Sequence, residues 1–299
     1  AVLGGWRGLW VSSMNRTETR GGGAAENVAP TGKMAELTFI ESLLDRFLES
    51  LAFLRDIGSM FTNFVAVLYT LKGSRWRYTK GVIFHQIVFS GVDALYVVGL
   101  ISATLGGVIM VQMVAYSPGF QADKLLMQIF VTTVITELAP LITTLILIGR
   151  SGSAITVEMG SMKIKGDHLA LTSMGIDITQ YSHLPRVIGL AVSNVILNLY
   201  FVLIMLTSAL LISAFQKSVN VADMLTLFID SLRLPDIMIN VVKGALLGTT
   251  VALVCIYHGQ KVQKAATEIP QQTSRAIVNS MILCFTISAS ISLIWYLAL

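Results

Sequence analysis

Charge is what this chain has least of. Asp, Glu, Lys and Arg make up 13% of its 299 residues, about half the roughly 25% usual in soluble domains. The charges are clustered, and between them run apolar stretches of bilayer-spanning length, about 20 residues each. An ordinary soluble domain is thereby excluded. A GxxxxGK[ST] phosphate loop is also missing, so the chain is not expected to hydrolyse nucleotide itself. Its two cysteines, Cys255 and Cys284, lie inside apolar runs without metal-ligand spacing and read as small buried hydrophobes. The four histidines have no zinc-ligand spacing. Gly149-Arg150-Ser151-Gly152-Ser153 lacks the final glycine of a nucleophile elbow. No catalytic residue, bound metal or cofactor of this chain is expected. The net charge of +4 comes from cations beside the apolar runs, which argues against a nucleic-acid partner.

What is present is membrane anatomy. Residues 1–33 are rich in Gly and Ala and read as a flexible tail. From Met34 to Leu71, apolar residues recur at three- and four-residue spacing, with Glu41, Asp45, Arg46, Glu49 and Asp56 between them. This pattern predicts an amphipathic helix, too charged to span, lying in the interface plane. Lys72, Arg75, Trp76, Arg77, Tyr78 and Lys80 complete a 34–80 segment whose cations and aromatics suit headgroups and the interfacial belt. Residues 81–299 hold five apolar spans, approximately 87–114, 125–150, 187–214, 237–257 and 276–297. The fold class is therefore an all-α integral membrane protein. Lys and Arg crowd the flank before the first span and the second-to-third and fourth-to-fifth connections. The positive-inside rule then puts the N-terminus in the cytoplasm and the C-terminus outside. Five spans do not make two equal halves, so a transport pathway would form between two copies of the chain.

Charges within spans are costly and are usually paired or line a wet cavity. Glu137 lies near the middle of the second span. Lys243 lies about two turns into the fourth, and Asp236 marks that helix's outer end. These three form either a polar cluster in a cavity that meets a lipid headgroup or a structural ion pair between helices. Pro140 lacks a backbone donor and kinks the second span. Asn194 and Asn198 share a face of the third span, where they line the cavity or bind a neighbouring helix. Asp93 and Arg150, near the cytoplasmic ends of their spans, are candidates to pair. Gly99, Ala103 and Gly107 form a small-residue stripe for close packing. After the second span, Ser161 to Ile178 reads as a cationic start followed by a short amphipathic helix capped near Gly175.

The segment ELAPLITTLILIGRSGSAITVEMGSMKI, starting at Glu137 and continuing to ALTSMGID, resembles the core signature of the MlaE/YrbE-type permeases. VVKGALLGTTVALVCIYHG and TSRAIVNSMILCF resemble that family's fourth span and the start of its last. The resemblance covers roughly residues 80–297. It implies a homodimeric permease with a cytoplasmic ABC ATPase that holds ATP and Mg, an MCE-domain protein outside, and a small STAS-type cytoplasmic subunit. The cargo it implies is phospholipid or related lipid, and the location is the inner membrane of a Gram-negative-type bacterium. The 161–178 segment becomes the coupling helix for the ATPase, with Lys163, Lys165, Asp167, His168, Leu169, Ala170, Leu171, Met174 and Gly175 as its residues. Gly166-Asp167 stands where the family often has Glu-Gln, and Pro270 alters the glycine-rich lead-in to the last span. The competing readings are an ion-coupled secondary transporter working through Glu137 or Asp93, and an intramembrane lipid-modifying enzyme.

Overall fold

The computed structural model describes residues 51–67, 74–116, 124–215, 221–263 and 265–298. The expected tail and the first part of the amphipathic helix lie outside them. Contacts divide the chain into Ala1–Leu54 and Arg55–Leu299. Of the first unit only residues 51–54 are described, and they are helical. The second unit opens with helix α1, residues 55–67.

All regular structure among the described residues is helical. Helix α2 is Ser74–Tyr116. The next long helix is built in pieces: α3 (Lys124–Thr133), a π-helical turn at Val134–Leu138, α4 (Ala139–Leu147), a second π turn at Ile148–Gly152, and α5 (Ser153–Lys165). After α6 (Asp167–Ser173) come α7 (Leu184–Phe215), α8 (Val221–Ser231), α9 (Leu234–Lys261) and α10 (Glu268–Ala298). Among the described residues, five helices are long and apolar enough to cross a membrane: Lys80–Gln112, Gln128–Lys165, Thr179–Phe215, Leu234–Lys261 and Glu268–Leu297. This matches the five expected spans.

The helices outrun the expected spans. The second has 38 residues, about 57 Å at 1.5 Å per residue, against about 30 Å of hydrocarbon. Its end, α5, is therefore part of one continuous helix longer than an upright crossing needs, and not of a loop. Ser161–Lys165, placed by sequence in the polar loop, continue the membrane helix because nothing breaks it before Gly166. There φ turns to 80°, and the Gly166 N–H closes on the carbonyls of Lys163 and Met162. Lys163 and Lys165 end this helix, where cations suit the helix dipole. Helix α8 in the third-to-fourth connection was not expected. It buries Phe228 against Met110, Val131, Ile135 and Ala209.

The core is where α7 meets α2 and α9. Absent side chains set these distances. A Cβ on Gly106 of α2 would collide with the Met205 carbonyl oxygen of α7. One on Gly248 of α9 would lie 2.8 Å from the Ala191 Cα. The expected stripe on α2 packs here too, with Gly99 against Tyr200 and Gly107 against Ile212. Cys255 and Cys284 are buried free thiols.

Candidate functional site

The polar centre follows from one proline. Pro140 has no N–H to offer Thr136 O four residues earlier. In the preceding π turn, the Ala139 N–H bonds Val134 O, leaving Ile135 O without that helical donor. Two adjacent carbonyls of the second span thus lack their usual α-helical donor, and in a membrane interior partners must come from protein. Helix α9 supplies both from one face. Asn240 Nδ2 donates to Ile135 O at 2.6 Å, and Lys243 Nζ donates to Thr136 O at 2.8 Å.

Lys243 has three N–H groups, and all are engaged. The other two reach Glu137 Oε1 at 2.9 Å and Ser292 Oγ of α10 at 2.5 Å. Ser292 Oγ also lies 2.7 Å from Glu137 Oε1 and 2.8 Å from Ser288 O. Its single proton serves one of these acceptors at a time. The Lys243 side chain is 0% exposed while that of Glu137 is 26% exposed. The ammonium is sealed in protein and the carboxylate faces outward. Any ligand at this centre therefore meets Glu137, with Lys243 behind it fixing one oxygen.

Asn194 and Asn198 are fully buried one turn apart on α7. Asn194 Nδ2 donates to Thr144 Oγ1 and to Gly244 O, each at 2.9 Å. Asn198 Oδ1 accepts from the Thr143 hydroxyl. Both tie the third span to its neighbours. Asp236 stands apart from the Lys243 pair, about 10 Å along α9. It accepts from Thr132 Oγ1 at 3.2 Å and borders a cavity of about 320 Å³ lined by Gln128, Ile129, Thr132, Thr133, Arg233, Asp236, Trp295 and Tyr296. Sequence reasoning missed Asn240, Ser292, Gln128 and Arg233. Only Asn240 left a signal, being three residues before Lys243 on the same helical face.

A second polar region lies at the other end. Arg150 Nη2 meets Asp93 Oδ2 at 2.9 Å, the pairing anticipated for those residues. Arg186 Nη2 of α7 bonds Glu158 Oε1 of α5 at 2.7 Å. Lys163 donates to the carbonyl of Gln260 on α9, and the Gln260 amide lies 2.9 Å from His183 Nε2. The ends of spans two, three and four are thereby latched together. Beyond the latch, α6 begins at left-handed Gly166 and has no buried residue. Asp167 sits in its first turn, where the helix dipole favours an anion. The helix stops at Gly175, φ 74°. There Ile176 N–H bonds Leu171 O at 3.0 Å and Gly175 N–H bonds Thr172 O at 2.9 Å, a Schellman cap. Leu169 and Met174 are 76% and 74% exposed, so an apolar tip projects from the latch. His168 turns back toward it. Burial, then Lys163 and Arg186, hold its imidazole below the usual pKa, and Nε2 is buried without a partner among the described residues.

A family model described as permease MlaE matches residues 83–294. The chain is 27% identical over 221 residues to a probable ABC transporter permease of Rickettsia typhi, covering 74% of this chain and 84% of that protein. It is 26% identical over 196 residues to the intermembrane phospholipid transport system permease protein MlaE of Haemophilus influenzae, covering 65% and 75%. Over 217 residues it is 25% identical to the chloroplastic protein trigalactosyldiacylglycerol 1 of Arabidopsis thaliana, covering 72% and 61%.

Proposed function

The chain belongs to the MlaE permease family, and on that premise we propose that it is the membrane subunit of an ABC transporter moving phospholipid between membranes. The observation that carries this reading is Glu137. It is a carboxylate a quarter exposed within an apolar span, with its ammonium partner sealed behind it. Such a group needs a polar counterpart within the membrane. A lipid headgroup in a cavity between two copies of the chain meets that need, while apolar helix faces accept acyl chains. The reading carries no covalent chemistry in this chain.

In this reading the chain is a homodimer of the inner membrane with its N-terminus in the cytoplasm and its C-terminus outside. A separate ATPase, holding ATP and Mg, grips α6 and its C-cap by Leu169, Leu171 and Met174. An MCE-domain protein receives or delivers lipid at the outer face, and a small STAS-type subunit completes the cytoplasmic side. Closure of the ATPase dimer moves α6. The Glu158–Arg186 and Lys163–Gln260 contacts carry that motion into three spans as one block. The two π turns flanking α4 are the places where the second span can flex. Lipid moves only if the two states hold it with different affinity, and the outward-facing carboxylate of Glu137 supplies that difference.

The test is purification of the tagged chain from its own host, followed by assay of lipid transfer between vesicles. Copurification of an ATPase, and transfer lost when that ATPase's nucleotide site is disabled, supports the proposal. Transfer driven by an ion gradient without ATP, or chemical change in the lipid, overturns it.

A further inference from the structure

The cavity beside Asp236 contains two opposite charges that do not neutralise each other. Asp236 is 5% exposed, and no Lys or Arg nitrogen lies within salt-bridge distance of it among the described residues. Its side-chain partner among the described residues is the neutral Thr132 hydroxyl. A carboxylate this buried is costly unless a cation or several donors face it. Its place in the first turn of α9 offsets part of that cost through the helix dipole.

Arg233, at the foot of the same helix, is the complementary case. Its guanidinium donates from Nε at 3.2 Å, and from Nη2, to the Gln128 amide oxygen once that amide is turned toward it. A guanidinium has five N–H donors, so three remain for another acceptor. No carboxylate claims them among the described residues. Trp295 and Tyr296 of α10 also line the cavity, and aromatic faces attract alkylammonium groups. The cavity, about 320 Å³, is at the small end of ligand sites, roughly 300–1,000 Å³. It has room for a headgroup, whose acyl chains must run outside along apolar helix surface.

We infer that this cavity recognises a zwitterionic amino-phosphodiester headgroup, with Arg233 taking the phosphate and Asp236, beside Trp295 and Tyr296, taking the ammonium. The inference rests on the lipid-transport reading only in expecting a membrane lipid as the source. The same chemistry is carried by soluble glycerophosphoethanolamine. The site lies about 10 Å along α9 from Lys243 and selects among headgroups that the Glu137 centre alone would accept.

The test uses the full chain in detergent micelles, with binding followed by native mass spectrometry. The probes are phosphatidylethanolamine, phosphatidylglycerol and diacylglycerol of matched acyl chains, with glycerophosphoethanolamine as soluble competitor. Wild type is expected to hold phosphatidylethanolamine about tenfold more tightly than phosphatidylglycerol, the scale of one charge-assisted contact. Asp236→Asn removes that preference, and Asp236→Glu restores part of it. Arg233→Gln weakens both phospholipids toward the diacylglycerol level, whereas Arg233→Lys retains binding. Competition by glycerophosphoethanolamine at concentrations similar to the lipid supports the site with a soluble source. Its failure to compete, with lipid preference intact, supports the lipid source. An unchanged headgroup preference in folded Asp236→Asn, or equal binding of diacylglycerol and phospholipid, overturns the inference. Transport that survives such a result leaves the transport reading standing. Headgroup preference without any ATP-dependent transfer sinks the transport reading and keeps the site.

Discussion

Replacing Lys243 with Met removes a cation that holds three partners at once, and the structure says how the loss divides. One partner, Thr136 O, depends on Lys243 because Pro140 has no N–H. Leaving that buried carbonyl bare costs about 1–3 kcal/mol. Another, Glu137, loses its counter-ion. Breaking a fully buried pair costs about 3–5 kcal/mol, but Glu137 is a quarter exposed, so the lower end or less applies. Averaged hydrogen bonds between membrane helices are worth only about 0.6 kcal/mol, which draws the sum down again. The expected cost for Lys243→Met is about 2–4 kcal/mol. Pro140→Ala supplies an N–H to the same turn and relieves the carbonyl. In that background Lys243→Met is expected to cost at least about 1 kcal/mol less. The assay is a double-mutant cycle of reversible unfolding in mixed micelles, read by far-UV circular dichroism. Equal costs of Lys243→Met in the two backgrounds would refute the assignment of Lys243 to the proline-orphaned carbonyl.

Other outcomes follow from the same contacts. Gly106→Val should destabilise the protein by about 2 kcal/mol or more, because its Cβ would collide with the Met205 carbonyl; an unshifted melting temperature contradicts that packing. Gly166→Ala forces a side chain into left-handed backbone, φ 80°, at about 1 kcal/mol. It should weaken ATPase association while leaving the melting of the spans unchanged, and loss of the whole fold would count against a local role. Leu169→Asp with Met174→Asp should abolish copurification of the ATPase with the melting temperature unchanged, since both side chains are exposed. His168 is held below its ordinary pKa in the folded state by burial, Lys163 and Arg186. A more open state therefore takes up the proton first as pH falls through about 6.5. Hydrogen exchange of residues 167–176, corrected for intrinsic rates, should show less protection at pH 5.5 than at 7.5. His168→Gln should flatten that difference, and an unchanged difference would exclude His168 as its origin.

The spans were legible because a bilayer-crossing helix needs length and apolarity, and charges in this chain fall mostly outside those runs. Glu137 and Lys243 stood out for the opposite reason, as charges inside them. Their pairing through a long lysine stem was within reach of helix spacing. The reason for Lys243 was not, because the orphaned carbonyls arise from a π turn that Pro140 adjoins without revealing its register. Asn240 illustrates the limit. An asparagine on an apolar helix signals a hydrogen bond, but its acceptor is a backbone atom over a hundred residues away. Arg233 and Gln128 were invisible for a similar reason, since one lies in a connection and the other at a helix start. The end of α5 was missed because lysines near an apolar run look like loop, whereas at a helix C-terminus they are favourable. Gly175, by contrast, was a legible stop, for glycine after an amphipathic turn marks the left-handed cap found there.

Phospholipid transfer from proteoliposomes containing this chain and its copurified ATPase tests the central claim most directly. Transfer to acceptor vesicles should require ATP, stop when the ATPase nucleotide site is disabled, and fall by about tenfold or more in Glu137→Gln assembled to wild-type levels. Transfer that proceeds at the wild-type rate without nucleotide, or that ignores Glu137, would contradict it.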